Sequence, residues 1–266
     1  MDCQYFIEKM EVKNLFKLNG KTALVTGGSQ GIGKAISLAL AEYGANLVIN
    51  YRSGNELALQ TEKEIKAMGV DCHLLPCDLS KIDSAKVISD YLKENQLEVD
   101  ILVLNASVQF RNSWDKVTPD EFELQVNTNF RSSLMLIQEL YPAMQRKMWG
   151  RILTVGSVQQ VRPHQQMIVY AASKNAQLSM VKSMAPEFAR HGVTINNLAP
   201  GAIATGRNEE VLADKEYKKI VESKIPVGYV GEASDCAPTA LLLCSDAGRY
   251  ITGQDFFVDG GMGLNS

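Results

Sequence analysis

A tyrosine and a lysine lie four residues apart in Tyr170-Ala171-Ala172-Ser173-Lys174. On a helix that spacing places both side chains on one face, next to each other. A free phenol keeps its proton to a pH of about 10, too high for a base near neutrality. An adjacent ammonium stabilises the phenolate and makes proton transfer to and from the ring oxygen accessible. Alone, the pair also describes an ordinary amphipathic helix. Ser157 adds weight: it precedes Tyr170 by thirteen residues and ends the run Arg151-Ile152-Leu153-Thr154-Val155-Gly156-Ser157, at a strand's carboxyl edge. A hydroxyl, a phenol and an ammonium are the parts needed to move a proton at a substrate oxygen.

The second chemical signal is Thr26-Gly27-Gly28-Ser29-Gln30-Gly31-Ile32-Gly33. Glycines let the backbone turn and let a pyrophosphate approach without a Cβ in the way. The helix that follows offers free N–H groups and its positive end to that anion. A bare strand-to-helix turn would have the same composition. The position after a first strand, at the start of a first helix, selects a dinucleotide site. Its ribose should meet the end of the next strand, Asn50-Tyr51-Arg52-Ser53, where no acid stands. An acid there would bind the 2′-hydroxyl of NAD and repel the 2′-phosphate of NADP. Arg52, helped by Ser29 and Ser53, suits the phosphate. NADP(H) is therefore favoured, with NAD(H) as the other option.

These residues need a frame. Apolar runs at Thr22–Thr26, Leu47–Ile49, His73–Leu75, Ile101–Leu104, Ile152–Val155, Val193–Ile195 and Phe256–Val258 read as strands covered on both faces. Helical patterns separate most of them, one opened by the capping box Thr118-Pro119-Asp120-Glu121. The alternation predicts an α/β fold: a doubly wound parallel sheet of about seven strands, with helices on both faces. One domain, residues 20–266, is expected behind a leader, residues 1–19. The 27 basic and 30 acidic side chains of the 266 residues contain no basic run, which argues against nucleic acid. No apolar stretch is long enough for a membrane span, and no secretory signal opens the chain. Five scattered cysteines suit a reducing compartment, so the cytoplasm is expected. No metal site is expected: His73, His164 and His191 are far apart, and Cys72 and Cys77 lack a second ligand pair.

With the glycine loop, Ser157 and Tyr170-x-x-x-Lys174 in this order, the sequence resembles the short-chain dehydrogenase/reductase family from about Leu18 to Asp259. The resemblance implies a Rossmann-type fold and hydride transfer between a nicotinamide and a secondary alcohol or ketone. It implies cofactor contacts from Gly27, Ser29, Gln30, Gly31, Ile32 and Gly33, from Asn50, Tyr51, Arg52 and Ser53, and from Asp78 and Leu79. Further contacts are implied for Asn105-Ala106-Ser107, for Tyr170 and Lys174, and for Pro200, Gly201, Ile203 and Thr205. Relatives that prefer NADP often carry a second basic residue where Gln30 stands. Where the family usually reads N-N-A-G, this chain has Leu104-Asn105-Ala106-Ser107, so Ser107 adds a side chain at the pocket. A fourth catalytic residue is Asn129 in Thr128-Asn129-Phe130, with Asn127 as the fallback; its implied role is to hold a water linking Lys174 to solvent.

The charged segment 206–226 reads as a lid, and its start resembles members that act on sugar acids. Substrate contacts are sought at Ser107 and in the polar loop holding Gln159, Arg162 and His164. The best-fitting substrate is a sugar, sugar acid or polyol. The rival is 3-oxoacyl carrier-protein reduction, although Met148 and His191 stand where those reductases tend to present basic residues to the carrier. A non-catalytic NADP-binding sensor would keep the glycine loop but could lose Asn129, Ser157, Tyr170 and Lys174. A homotetramer is expected through two long helices, residues 119–148 and 168–190.

Overall fold

Apolar runs alternate with helices from Thr22 to Val258 in the computed structural model, which describes residues 11–206 and 213–264. The first half builds β1 (Thr22–Thr26), α1 (Gly31–Glu42), β2 (Asn46–Tyr51), α2 (Asn55–Lys66), β3 (Cys72–Pro76), α3 (Ser84–Glu94) and β4 (Ile101–Leu104). Then come α4 (Pro119–Val126), α5 (Ser132–Lys147), β5 (Gly150–Val155), α6 (Ile168–Ala189) and β6 (Val193–Pro200). The chain continues through β7 (Ile203–Ala204), α7 (Lys215–Glu222), β8 (Gly231–Glu232), α8 (Ala233–Cys244) and β9 (Asp255–Val258).

Seven strands form one parallel sheet in the order β3-β2-β1-β4-β5-β6-β9. The strand order reverses between β1 and β4, and the crevice beyond the carboxyl ends at such a point is where ligands of these sheets bind. β7 and β8 pair separately above it. Leu24 and Leu102 face one side of the sheet while Val25 and Val103 face the other, which is why these strands read as continuous apolar runs. One side is covered by α1, α2 and α8, through residues such as Ile36, Leu40, Ile65 and Leu241. The other is covered by α3, α5 and α6, whose Ile88, Leu92, Leu136, Leu140 and Val181 recur at helical spacing. Each such side chain, taken fully out of water, contributes about 1.5–3 kcal/mol.

Two features depart from the expected elements. The helix expected over 119–148 is interrupted by a wide π-turn, Asn127–Arg131, between α4 and α5. Within it the buried Asn129 amide hydrogen-bonds the backbone of Val108. The residues expected to form a leader also join the packing before Asn19. Phe16 meets Tyr43 at 6.2 Å between ring centroids, and Leu18 is buried, its N–H donating to the Tyr43 carbonyl at 2.7 Å.

Candidate functional site

Thr26, the last residue of β1, ties the strand ends together. Its hydroxyl donates to the Val103 carbonyl and accepts the N–H groups of Asn105 (2.9 Å) and Ala106 (3.1 Å). Asn105 then donates its side-chain amide to the carbonyls of Thr26 and Gly27, both at 3.0 Å. The glycine loop is thus fixed to the end of β4. Gly27 has φ 60°, a left-handed conformation that suits glycine. Gly33 lies behind the loop, where a Cβ would strike the Gly27 carbonyl and Asn105 Nδ2. It shapes the loop and is absent from the cleft wall.

The cleft, about 450 Å³, runs along the carboxyl ends of the strands. Its middle is lined by Gly27, Ser29, Gln30, Gly31 and Ile32, facing Asn105, Ala106 and Ser107. At one end stand Asn50, Tyr51, Arg52 and Ser53, with Asp78 and Leu79 beyond. The Asn50 side chain is committed to the carbonyls of Leu75 and Cys77, so it joins β2 to β3 while lining the cleft. Burial works against the Asp78 charge. The Ser80 N–H at 3.0 Å, with Arg52 and Lys81 nearby, nonetheless holds its carboxyl below the usual range.

Ser157, Tyr170 and Lys174 meet at the other end, under Pro200, Gly201, Ile203 and Thr205. A Cβ on Gly31 would lie 3.3 Å from Thr205 Cγ2, so Thr205 closes over the glycine loop. Ser157 accepts the Gln159 N–H at its Oγ and donates its own N–H to Gln160 Oε1 at 2.8 Å. Gln160 and Asn197 both donate to Asp255, and Asn197 accepts the Thr154 hydroxyl, which makes a polar support beneath the serine. Burial raises the Asp255 carboxyl above its usual range, against the Asn197 hydrogen bond. Lys174 is buried, with Nζ 5.7 Å from the Tyr170 ring centroid. Nζ donates to the Val155 carbonyl at 2.7 Å and to Gln177 Oε1 at 2.9 Å.

The structure places Asn129 behind the cleft, fully buried. Oδ1 accepts the Val108 N–H at 2.8 Å, and Nδ2 donates to the Val108 carbonyl (2.9 Å) and Ser173 Oγ (3.1 Å). With both ends of the amide so occupied, its side chain clamps the loop after β4. Thr128 lines the cleft, whereas neither Asn127 nor Asn129 does.

Gln159 and His164 line the substrate end, and Gln159 Oε1 accepts the His164 backbone N–H at 2.6 Å. Arg162 points elsewhere, donating to the Met262 carbonyl at 2.7 Å. Arg111, Tyr217 and Lys224 also line this end, with Arg111 donating to the Tyr217 hydroxyl at 3.2 Å. No motif marks these three residues, although Tyr217 and Lys224 fall within the charged segment read as a lid. Part of that segment, residues 207–212, lies outside the described residues. Burial, then the charges of Arg111 and Lys224, push the His164 imidazole below its usual range.

The cleft fits a dinucleotide. The N-terminus of α1 has no side-chain cap and no acid in its first turn, so its N–H groups are available to a phosphate beside Gly31 and Ile32.

A family model described as enoyl-(acyl carrier protein) reductase matches residues 27–263. 3beta-Hydroxysteroid dehydrogenase 1 of Eggerthella lenta is 36% identical over 251 residues, covering 93% of this chain and 95% of its own. A 3-oxoacyl (acyl-carrier-protein) reductase of Agrobacterium tumefaciens, solved with NADP, superposes with TM-score 0.91 at 34% identity, covering 96% of this chain and 99% of its own. A gluconate 5-dehydrogenase of Burkholderia cenocepacia, solved with NADP and tartrate, gives TM-score 0.88 at 30% identity, covering 95% and 98%. The chain belongs to the short-chain dehydrogenase/reductase family and is an oxidoreductase acting at alcohol and keto carbons.

Proposed function

We propose that the protein uses NADP(H) to interconvert a secondary alcohol and its ketone on a small polar substrate, a sugar acid fitting best. The observation that carries this reading is the meeting of Ser157, Tyr170 and Lys174 at the end of a cleft opposite Arg52. The glycine loop and the α1 N-terminus would hold the cofactor's diphosphate, Arg52 its 2′-phosphate, and Asn105 to Ser107 with Pro200 to Thr205 its nicotinamide half. When bound, that group supplies or accepts the hydride. Ser157 Oγ donates to the substrate oxygen, held in place from below through Gln160. Tyr170 gives its phenolic proton to that oxygen in reduction and takes it back in oxidation, with the Lys174 charge favouring the phenolate. The NADP-bound neighbours support the choice of cofactor, as does the lack of an acid at the end of β2.

Charge selects among substrates. Arg111, His164 and Lys224 surround the substrate end, and Asp78, at the far end, is the only carboxylate among the described residues of the wall. Such a site favours a carboxylate. Carrier-protein reduction is the second reading, supported by the named relative of that activity. Two side chains at or beside the positions where those reductases tend to present basic residues are already engaged. His191 bonds Tyr141 Oη and Gln145 Nε2, and Lys147 pairs with Asp100 (2.9 Å) and Glu98 (3.0 Å).

Turnover should be compared for keto-aldonates, neutral ketoses and 3-oxoacyl thioesters, with NADPH and with NADH. Keto-aldonates with NADPH should give the highest kcat/KM; preference for the thioesters would transfer the assignment to the second reading. The proposal includes a homotetramer. On the two helices expected to form its interface, Ile137, Met180 and Phe188 are buried within the chain, while Phe122 and Ile168 remain about half exposed on α4 and α6.

A further inference from the structure

Gln177 is fully buried on α6, one turn beyond Lys174, in a position where a doubly wound fold would ordinarily bury an apolar side chain against α5. Its amide is used at both ends. Oε1 accepts from Lys174 Nζ at 2.9 Å, and Nε2 donates to Ser133 Oγ at 3.0 Å. The Ser133 hydroxyl donates in turn to the Asn129 carbonyl at 3.3 Å, inside the π-turn. A buried amide with both ends satisfied favours one orientation, because rotating it by half a turn would set its NH2 against the ammonium and would draw the Ser133 hydroxyl proton away from the Asn129 carbonyl.

We infer that Gln177 is a positioning residue for the reaction: anchored through Ser133 to the π-turn, it presents a fixed, uncharged acceptor that holds the Lys174 ammonium beside Tyr170. The inference rests on the assignment of Tyr170 and Lys174 given above. Lys174 swings on four side-chain bonds, and its effect on the phenol falls with distance. The Val155 carbonyl restrains Nζ from the sheet and Gln177 restrains it from α6, so the two acceptors fix it in direction as well as distance. Neutrality matters equally, since a carboxylate at this position would cancel the charge that the tyrosine needs. Of the groups this network joins, Lys174 alone is charged and Ser133 and the Asn129 carbonyl are neutral; Tyr170, on the same helix, is the titratable group beside it.

The test is an ultraviolet titration of tyrosinate in the NADP-loaded enzyme, taken as a difference from Tyr170→Phe. It is paired with the pH profile of alcohol oxidation. Gln177→Glu keeps the size and the acceptor but adds a charge. The tyrosinate band missing from Tyr170→Phe, and the acidic limb of the oxidation profile, should move up by about one pH unit. Gln177→Leu should lower kcat about tenfold with little change in substrate KM. Ser133→Ala should give a smaller loss in kcat. Titration and profile unchanged in Gln177→Glu would overturn the inference, whatever Gln177→Leu does to folding. Because the titration needs no substrate, failure to find turnover would count against the proposed reaction and leave this result readable.

Discussion

Replacing Asn129 with alanine removes three hydrogen bonds at once: from the Val108 N–H, to the Val108 carbonyl and to Ser173 Oγ. Ser173 keeps its bond to the Tyr170 carbonyl at 2.7 Å, so the loss falls mainly on Val108. A buried backbone group left without its partner costs about 1–3 kcal/mol. Val108 is only partly buried, so its two groups together should cost about 2–4 kcal/mol. For a chain of this size that lowers Tm by about 4–16 °C. Asn129→Asp should be no better, since its second oxygen would face the Val108 carbonyl. Urea unfolding and thermal melting of the NADP-bound protein measure the loss. Turnover per folded molecule separates it from catalysis. A change within about 0.5 kcal/mol, the range of an ordinary surface substitution, would refute the clamp. So would an unchanged Tm accompanied by lost turnover, which is what a purely catalytic role predicts.

Arg52→Ala should weaken NADP binding by at least about tenfold, the value of one charge-assisted hydrogen bond, and leave NAD binding nearly unchanged, as read by NADPH fluorescence titration. Because the His164 imidazole is held below its usual range, it is neutral near pH 7, and a bound carboxylate favours its protonated form. Affinity for a carboxylate substrate should therefore rise as the pH falls through that depressed range, and His164→Gln should flatten the response in KM. Light scattering should report about four times the 29.3 kDa chain mass, and a monomer would contradict the proposed assembly.

The fold was legible because the covered strands are written as unbroken apolar runs and because Gly27 to Gly33 announces the first crossover. The Ser157, Tyr170 and Lys174 group was legible for a similar reason: each residue is fixed by local spacing on one strand end or one helix. What the sequence hid depends on contacts between distant elements. Nothing local to Asn129 shows that its amide will be taken up by Val108, so its side-chain role could not be read from its position alone. Arg162 and Arg111 make the same point in opposite directions. The first sits in the polar loop yet bonds Met262, while the second, from an unmarked stretch after β4, reaches the substrate end. Gln177 could have been noticed as a polar residue at a core-facing position of α6, but its partners Lys174 and Ser133 become evident only once α5 and α6 are packed.

Tyr170→Phe is the most direct test of the account, because it removes one oxygen and leaves the ring between its neighbours. With a competent substrate and NADPH, kcat should fall by about 10²–10⁴-fold, the contribution of a positioned general acid–base. Cofactor affinity and Tm should stay near those of the parent protein. A variant that binds NADPH normally and retains most of its turnover would contradict the assignment of proton transfer to Tyr170.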